Sequence, residues 1–321
     1  MKLGVFTTLL SNVPFEDACA YFHSLGLQMV EIGCGGYPGN AHADPDVLLS
    51  DDEKFAAFKQ TLQKYDLQIS ALSCHGNPVH PDKETAAMYD SVIRKTILLA
   101  EKLGIDQINT FSGCPGDHEG AKYPNWVTCP WPNDFSEILE WQWNEVLIPY
   151  WKDLVAFAKS HGVTKIALEL HPGFCVYNTE TLLRLREAVG PEIGANFDPS
   201  HLIWQGMDPA ACIRKLGDAI FHFHAKDTKI DRYNTAVNGV LDMKPYGDEI
   251  HRSWIFRTIG YGNDLSYWKN IISTLRMVGY DHAISIEHED SLMSQNEGLR
   301  KAVDLLKSAI IAENAGEMWW V

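Results

Sequence analysis

Eight short apolar runs, each followed by a longer segment of helical periodicity, organise this chain of 321 residues. Extended strands are expected at 2–8, 29–34, 68–74, 107–111, 165–170, 193–197, 220–224 and 282–287. Helices are expected at 15–24, 84–103, 137–160, 179–188, 209–215, 265–277 and 297–312. A further one is marked by Phe55, Phe58, Leu62 and Tyr65, which fall on one apolar stripe. Ser50 followed by Glu53 reads as its capping box, with Asp51 and Asp52 adding negative charge to the same first turn. Gly26, Gly104, Gly162 and Gly279 stand where a left-handed cap stops a helix ahead of the next strand.

Strands separated by helices of this length run parallel, because the crossover has to carry the chain back to the same edge. Eight such units predict a closed (β/α)8 TIM barrel, one domain over residues 1–321. A doubly wound open sheet is the competing arrangement. It usually carries a Gly-rich phosphate turn after its first strand, and Phe6-Thr7-Thr8-Leu9-Leu10 has none. Two long loops break the rhythm, residues 112–134 after the fourth strand and 228–263 after the seventh. Their aromatics, Tyr123, Trp126 and Trp131 in one and Tyr233, Tyr246 and Trp254 in the other, are expected to wall a pocket. The apolar end Met318-Trp319-Trp320-Val321 is expected to pack in a groove or on a partner subunit.

Charge and cysteine usage exclude several function classes. Against 42 Asp and Glu stand 27 Lys and Arg, a formal net charge of −15 that repels phosphate backbones and anionic membranes. Neither nucleic acid nor membrane is therefore an expected partner. The chain opens directly in a strand-like run without a signal-peptide pattern, and no apolar stretch is long enough to span a bilayer. Seven cysteines with no C-x-x-C pair argue against a disulfide scaffold or a thiolate zinc site. A cytoplasmic location is expected.

The residues with chemistry stand at strand ends. The seventh strand, Ile220-Phe221-His222-Phe223-His224, alternates as a strand does but ends in His224-Ala225-Lys226-Asp227 where apolar residues are usual. Glu169 closes the fifth strand among apolar neighbours, Asp198 follows the sixth, and Glu287 ends the eighth. In a barrel these side chains converge at the C-terminal mouth. Three carboxylates gathered there repel one another and cost desolvation unless a cation compensates them. With His224 they form an oxygen-rich set with one nitrogen, suited to one divalent ion: Mn2+ first, with Co2+, Mg2+ or Zn2+ as alternatives.

The motifs Leu168-Glu169-Leu170-His171, Phe197-Asp198-Pro199-Ser200-His201, His224-Ala225-Lys226-Asp227 and Ile286-Glu287-His288-Glu289-Asp290 together resemble those of the xylose isomerase-like barrel superfamily. More narrowly, the chain is similar to the sugar phosphate isomerase/epimerase family within it. The resemblance covers essentially the whole chain. It implies metal ligands at Glu169, Asp198, His224 and Glu287, and a substrate- or metal-contacting histidine at His201. The implied activity is divalent-metal-dependent isomerisation or epimerisation of a sugar or polyol derivative. It proceeds by proton transfer beside a carbonyl, with Glu169 and Glu287 as the acid/base pair. The alternative is a keto-sugar lyase or dehydratase, acting on an inosose or a 3-keto-glycoside with the same metal and carboxylate base. A third reading keeps the barrel as a binding module.

Departures from the family pattern narrow this reading. The ketose 3-epimerases usually carry an Arg several residues past the metal His. Position 230 here is Ile, so Arg232 or Arg257 has to serve, and Arg257 is taken as a substrate-binding candidate. The metal nucleases, such as endonuclease IV, need a His where this chain has Asn109. His75 and His80, after the third strand, are expected either to bind sugar hydroxyls or to cap a turn. Lys226 is expected at the substrate, or paired with Asp227 in orienting His224. The expected partner is a small sugar or polyol, with self-association left open.

Overall fold

The computed structural model describes residues 1–321. Eight parallel strands close on themselves: β1 (Lys2–Phe6), β2 (Met29–Gly33), β3 (Gln68–Ser73), β4 (Gln107–Thr110), β5 (Lys165–Glu169), β6 (Ile193–Phe197), β7 (Ile220–Ala225) and β10 (Ala283–Ile286). Two further strands, β8 (Asp227–Ile230) and β9 (Trp254–Arg257), pair antiparallel outside the barrel. The chain thus forms the single-domain (β/α)8 barrel that its eightfold alternation predicts. No helix is long and apolar enough to cross a membrane.

Large apolar side chains fill the layer between barrel and helices. Phe197 on β6 stacks on Phe223 on β7 at 5.9 Å. Trp151, fully buried, donates from its indole nitrogen to the carbonyl of Ser112 at 3.0 Å, anchoring the chain just past β4. The barrel interior is different. Such interiors are usually filled by branched apolar residues, yet here Glu31, Ser73, Asn109, Asn196, His222, His224 and Ser285 are all fully buried. Two register shifts, between Val30 and Glu31 and between Ala195 and Asn196, fall beside members of this group. Such irregularities re-aim a side chain at the expense of ladder pairing.

Several local expectations are corrected. Ser50 is not the cap of the helix Asp52–Lys64. It ends the preceding helix Pro45–Ser50, where its hydroxyl donates to the Asp46 carbonyl at 2.5 Å. The cap is Asp51, whose Oδ1 accepts from the backbone of Glu53 and Lys54. Residues 228–263 are not an irregular loop. They contain most of β8, a short helix Arg232–Asn238, and β9, because Thr228-Lys229-Ile230 and Trp254-Ile255-Phe256 are strong strand formers that find each other. The helix after β4 begins at Asn133 and runs through a wide turn at Gln142–Leu147 into Ile148–Ser160. Pro149, which has no N–H to give, follows that turn. The terminal Trp319 and Trp320 are exposed and occupy no groove.

Candidate active site

The C-terminal mouth brings Glu169, Asp198, His224 and Glu287 together, one donor atom of each lying within 4.8 Å of all the others. Local sequence explains each placement. Glu169 is the last residue of β5, and Glu287 follows β10 directly. Asp198 caps the helix Pro199–Trp204: its Oδ1 accepts from the Ser200 amide at 2.8 Å, which leaves Oδ2 for the cluster. The same helix carries His201 one turn on. Its Nε2 lies 3.1 Å from Glu169 Oε1 and 3.2 Å from Asp198 Oδ2. His75, beyond β3, lies 3.0 Å from Glu169 Oε2 on the other side. That approach depends on Gly36, whose φ of +71° lets Tyr37 donate to the His75 carbonyl, whereas a Cβ would sit 2.1 Å from that oxygen.

Sequence reasoning missed the carboxylate beneath this cluster. Glu31, in mid-β2, is fully buried and lies 2.9 Å from His224 Nε2 through both of its oxygens. Ser73, Asn109 and Ser285 also donate to it. The signal was present: an acid inside Met29-Val30-Glu31-Ile32 is as anomalous for a buried strand as Glu169 is. A further histidine and carboxylate that line the cavity, His171 and Glu289, were also not singled out.

The remaining expected residues divide. Lys226 stands in the site, its Nζ 3.0 Å from each of Asp198 Oδ2, Glu287 Oε2 and Glu289 Oε2. It does not pair with Asp227. That carboxylate instead accepts from the backbone of Gly260, Gly262 and Asn263 and from the Asn263 amide, tying the segment after β9 to β8. His80 does not line the cavity over the cluster; its Nδ1 accepts from the Asp82 amide in a turn. Arg257 is also outside it, held at 3.0 Å by Asp290.

The electrostatics are those of a site short of positive charge. Burial, together with Glu287 and Glu169, pushes the Asp198 carboxyl up to about 7 in spite of Lys226. Burial also raises Glu287, but Lys226 and His224 more than offset it and bring that carboxyl to about 2. Burial holds His201 near 3, a neutral imidazole. Asp198 Oδ2 and Glu287 Oε2 are buried and have no aligned hydrogen-bond donor, close as Lys226 is. Burial disfavours the charged imidazole of His224, but Glu31 at Nε2 and Glu287 at Nδ1, each 2.9 Å away, more than offset it and hold its pKa well above the ordinary value. A divalent ion here would take the place of the proton on His224 Nδ1 and give the raised Asp198 carboxyl and the two unpartnered oxygens a partner, so the donor set fits one.

The cavity above the cluster, about 360 Å³, is lined by Phe6, Tyr37 and Phe111 together with Glu169, His201, Lys226 and Glu287. A second hollow of about 540 Å³ opens at the opposite end of the barrel around Asp106, Lys165 and His282. Barrel enzymes place their chemistry at the C-terminal mouth, where the cluster is.

Comparison with known proteins agrees with the barrel fold. The family model described as xylose isomerase-like TIM barrel matches residues 19–309. The chain belongs to that family. YfiH of Bacillus subtilis (strain 168), an uncharacterized protein, is 43% identical over 97% of this chain and 99% of its own length. An inosose dehydratase of Mesomycoplasma hyopneumoniae (strain J) is 23% identical over 97% of this chain and 96% of its own. Among solved structures, a D-tagatose 3-epimerase-like protein superposes with a TM-score of 0.64 at 21% identity, covering 96% of this chain and 98% of that one. That likeness is one of fold. The family is one of enzymes, with epimerases and an inosose dehydratase among its neighbours.

Proposed function

We propose that this barrel is a divalent-metal-dependent isomerase or epimerase of a sugar or polyol derivative, working by removal of a proton next to a carbonyl. The observation that carries the reading is the buried meeting of Glu169, Asp198, His224 and Glu287 beneath an open cavity. Those four residues would hold the ion, which when bound polarises a substrate carbonyl and neutralises the charge that develops on its oxygen. Mn2+ is the first choice for such a donor set. Glu169 ends β5 and Glu287 follows β10, and the two act as base and acid, one taking the proton from carbon and the other returning it. His201 and His75 grip Glu169 from two directions, fixing the carboxylate that receives the proton. Phe6 and Phe111 wall the cavity and limit water beside the carbanion.

A second reading, dehydration of a keto-polyol, is favoured by Lys226. A buried ammonium 3.0 Å from Glu287 is a proton donor that a two-carboxylate epimerase does not require. Loss of a β-hydroxyl as water needs one, and the inosose dehydratase relative has that activity in its name. Both readings share the first proton transfer.

Incubation of metal-supplemented protein with ketoses, inososes and 3-keto-glycosides in heavy water decides between them. Deuterium in recovered or isomerised sugar supports the first reading. An absorbance from a conjugated ketone supports the second. Glu169→Gln is expected to lower either signal by about 100-fold to 10,000-fold, and a Gln variant as active as the parent would remove Glu169 from the mechanism.

A further inference from the structure

We infer that the substrate is a neutral glycoside or similar conjugate, whose second ring lies in an aromatic subsite beside the catalytic cavity. The inference rests on the function proposed above. A hollow of about 390 Å³ adjoins the catalytic cavity, and His171 and His201 line both. Its far wall is Trp126, Trp204, Tyr246 and Trp254, with Leu241 and Met243 at the rim.

This wall is rigid and preassembled. Trp204 and Trp254 stack at 4.6 Å with their planes 5° apart. Tyr246 stacks on Phe256 at 5.7 Å. The Arg252 guanidinium lies over both Tyr246 and Trp254, at 4.5 and 4.7 Å, and donates from Nε to the Trp254 carbonyl. Arg252 itself is buried and does not line the hollow. Trp204 and Trp254, each 5% exposed, are the backing of this wall, and the ring it leaves open is Tyr246, 57% exposed, which with the half-buried Trp126 offers a preorganised surface to a sugar C–H face or an aryl ring at little entropic cost.

Charge selects against the other obvious class. No Lys or Arg lines the aromatic hollow, and its one acidic residue is Asp242. Lys226, the single cation lining the catalytic cavity, already faces three carboxylates. Apart from the ion itself, a phosphate group therefore finds no free basic side chain in either compartment, and none in the aromatic hollow where the second group would lie. Leu241 and Met243, 69% and 100% exposed, are left without an intramolecular partner at the entrance. A free monosaccharide fills the first compartment and leaves the second one bare.

Calorimetric binding to the metal-loaded protein tests this without turnover, using ligands that carry no ketone: methyl β-glucoside, phenyl β-glucoside, a β-linked glucose disaccharide and glucose 6-phosphate. Phenyl glucoside or disaccharide is expected to bind about tenfold tighter than methyl glucoside. Which of the two gains more tells an aryl from a sugar second ring. Glucose 6-phosphate is expected to bind weakest. Tyr246→Ala and the surface change Leu241→Asp are expected to erase the tenfold preference and leave methyl glucoside unaffected, while Tyr246→Phe keeps it. Equal affinities for methyl and phenyl glucosides overturn the subsite alone. Parallel loss of all ligands in both variants also overturns it, since the arm would then only support the fold. Tighter binding of the phosphate overturns the neutral-substrate claim. No binding of any glycoside overturns this inference and leaves the function beneath it to the heavy-water experiment.

Discussion

Both carboxylate oxygens of Glu31 lie 2.9 Å from Nε2 of His224, so the imidazole at the centre of the candidate metal site is gripped from inside the barrel. The partner of a ligating histidine's second nitrogen fixes its tautomer and its aim. Glu31→Gln keeps the shape and removes the charge. It is expected to weaken binding of a divalent ion by about 10- to 100-fold, read by titrating metal into chelator-treated protein. An unchanged affinity would show that β2 does not orient the site.

Lys226 competes with that same ion for Asp198 and Glu287. Lys226→Met is therefore expected to leave metal affinity equal or higher while turnover falls by about 100-fold or more. Parallel metal titrations and rate measurements check the split; a variant that loses metal and activity together would make Lys226 a structural counter-charge only.

Asp227 acts on the fold. Replacing it with Ala strands the Gly260, Gly262 and Asn263 amides that now donate to it. The expected cost is about 1–3 kcal/mol, seen as a lower denaturant midpoint with unchanged slope, and as faster proteolytic cleavage near residues 258–264. Stability equal to the parent's would mean that water satisfies these amides.

At the other end of the barrel, burial lowers the pKa of His282 below its ordinary 6.5. Below pH 6.5 the unfolded chain then takes up a proton that the folded one does not, so stability falls as the pH drops until the folded-state pKa is reached. The slope contributed is at most about 1.4 kcal/mol per pH unit. Melting curves of the parent and His282→Gln between pH 5 and 8 should converge toward acid and separate toward neutrality; parallel curves would mean that the imidazole keeps the same pKa on unfolding.

The barrel was legible because its cause is local. Each of the eight strands is an apolar run bounded by turn residues, and no distant partner is needed to recognise it. The polar ends of β5, β6, β7 and β10 were legible for a related reason: Glu169, Asp198, His224 and Glu287 each break an apolar pattern within a few residues of chain. Glu31 broke the pattern equally but sits mid-strand, where a carboxylate has no chemistry until the other strands close around it.

Partnerships between distant residues were decided by the tertiary structure alone. Lys226 and Asp227 are adjacent in the chain, yet one turns to Glu289 and the other to Asn263, because Lys226 stands between β7 and β8 at the barrel mouth while Asp227 already opens β8, outside the barrel. Arg257 pairs with Asp290, and the long segment after β7 folds back into an antiparallel arm that carries Tyr246 and Trp254. Sequence periodicity reports which face is buried and where an element stops. It carries no record of which side chain, many residues away, will stand within 3 Å, since that follows from closing the barrel, and closure is a property of all eight strands at once.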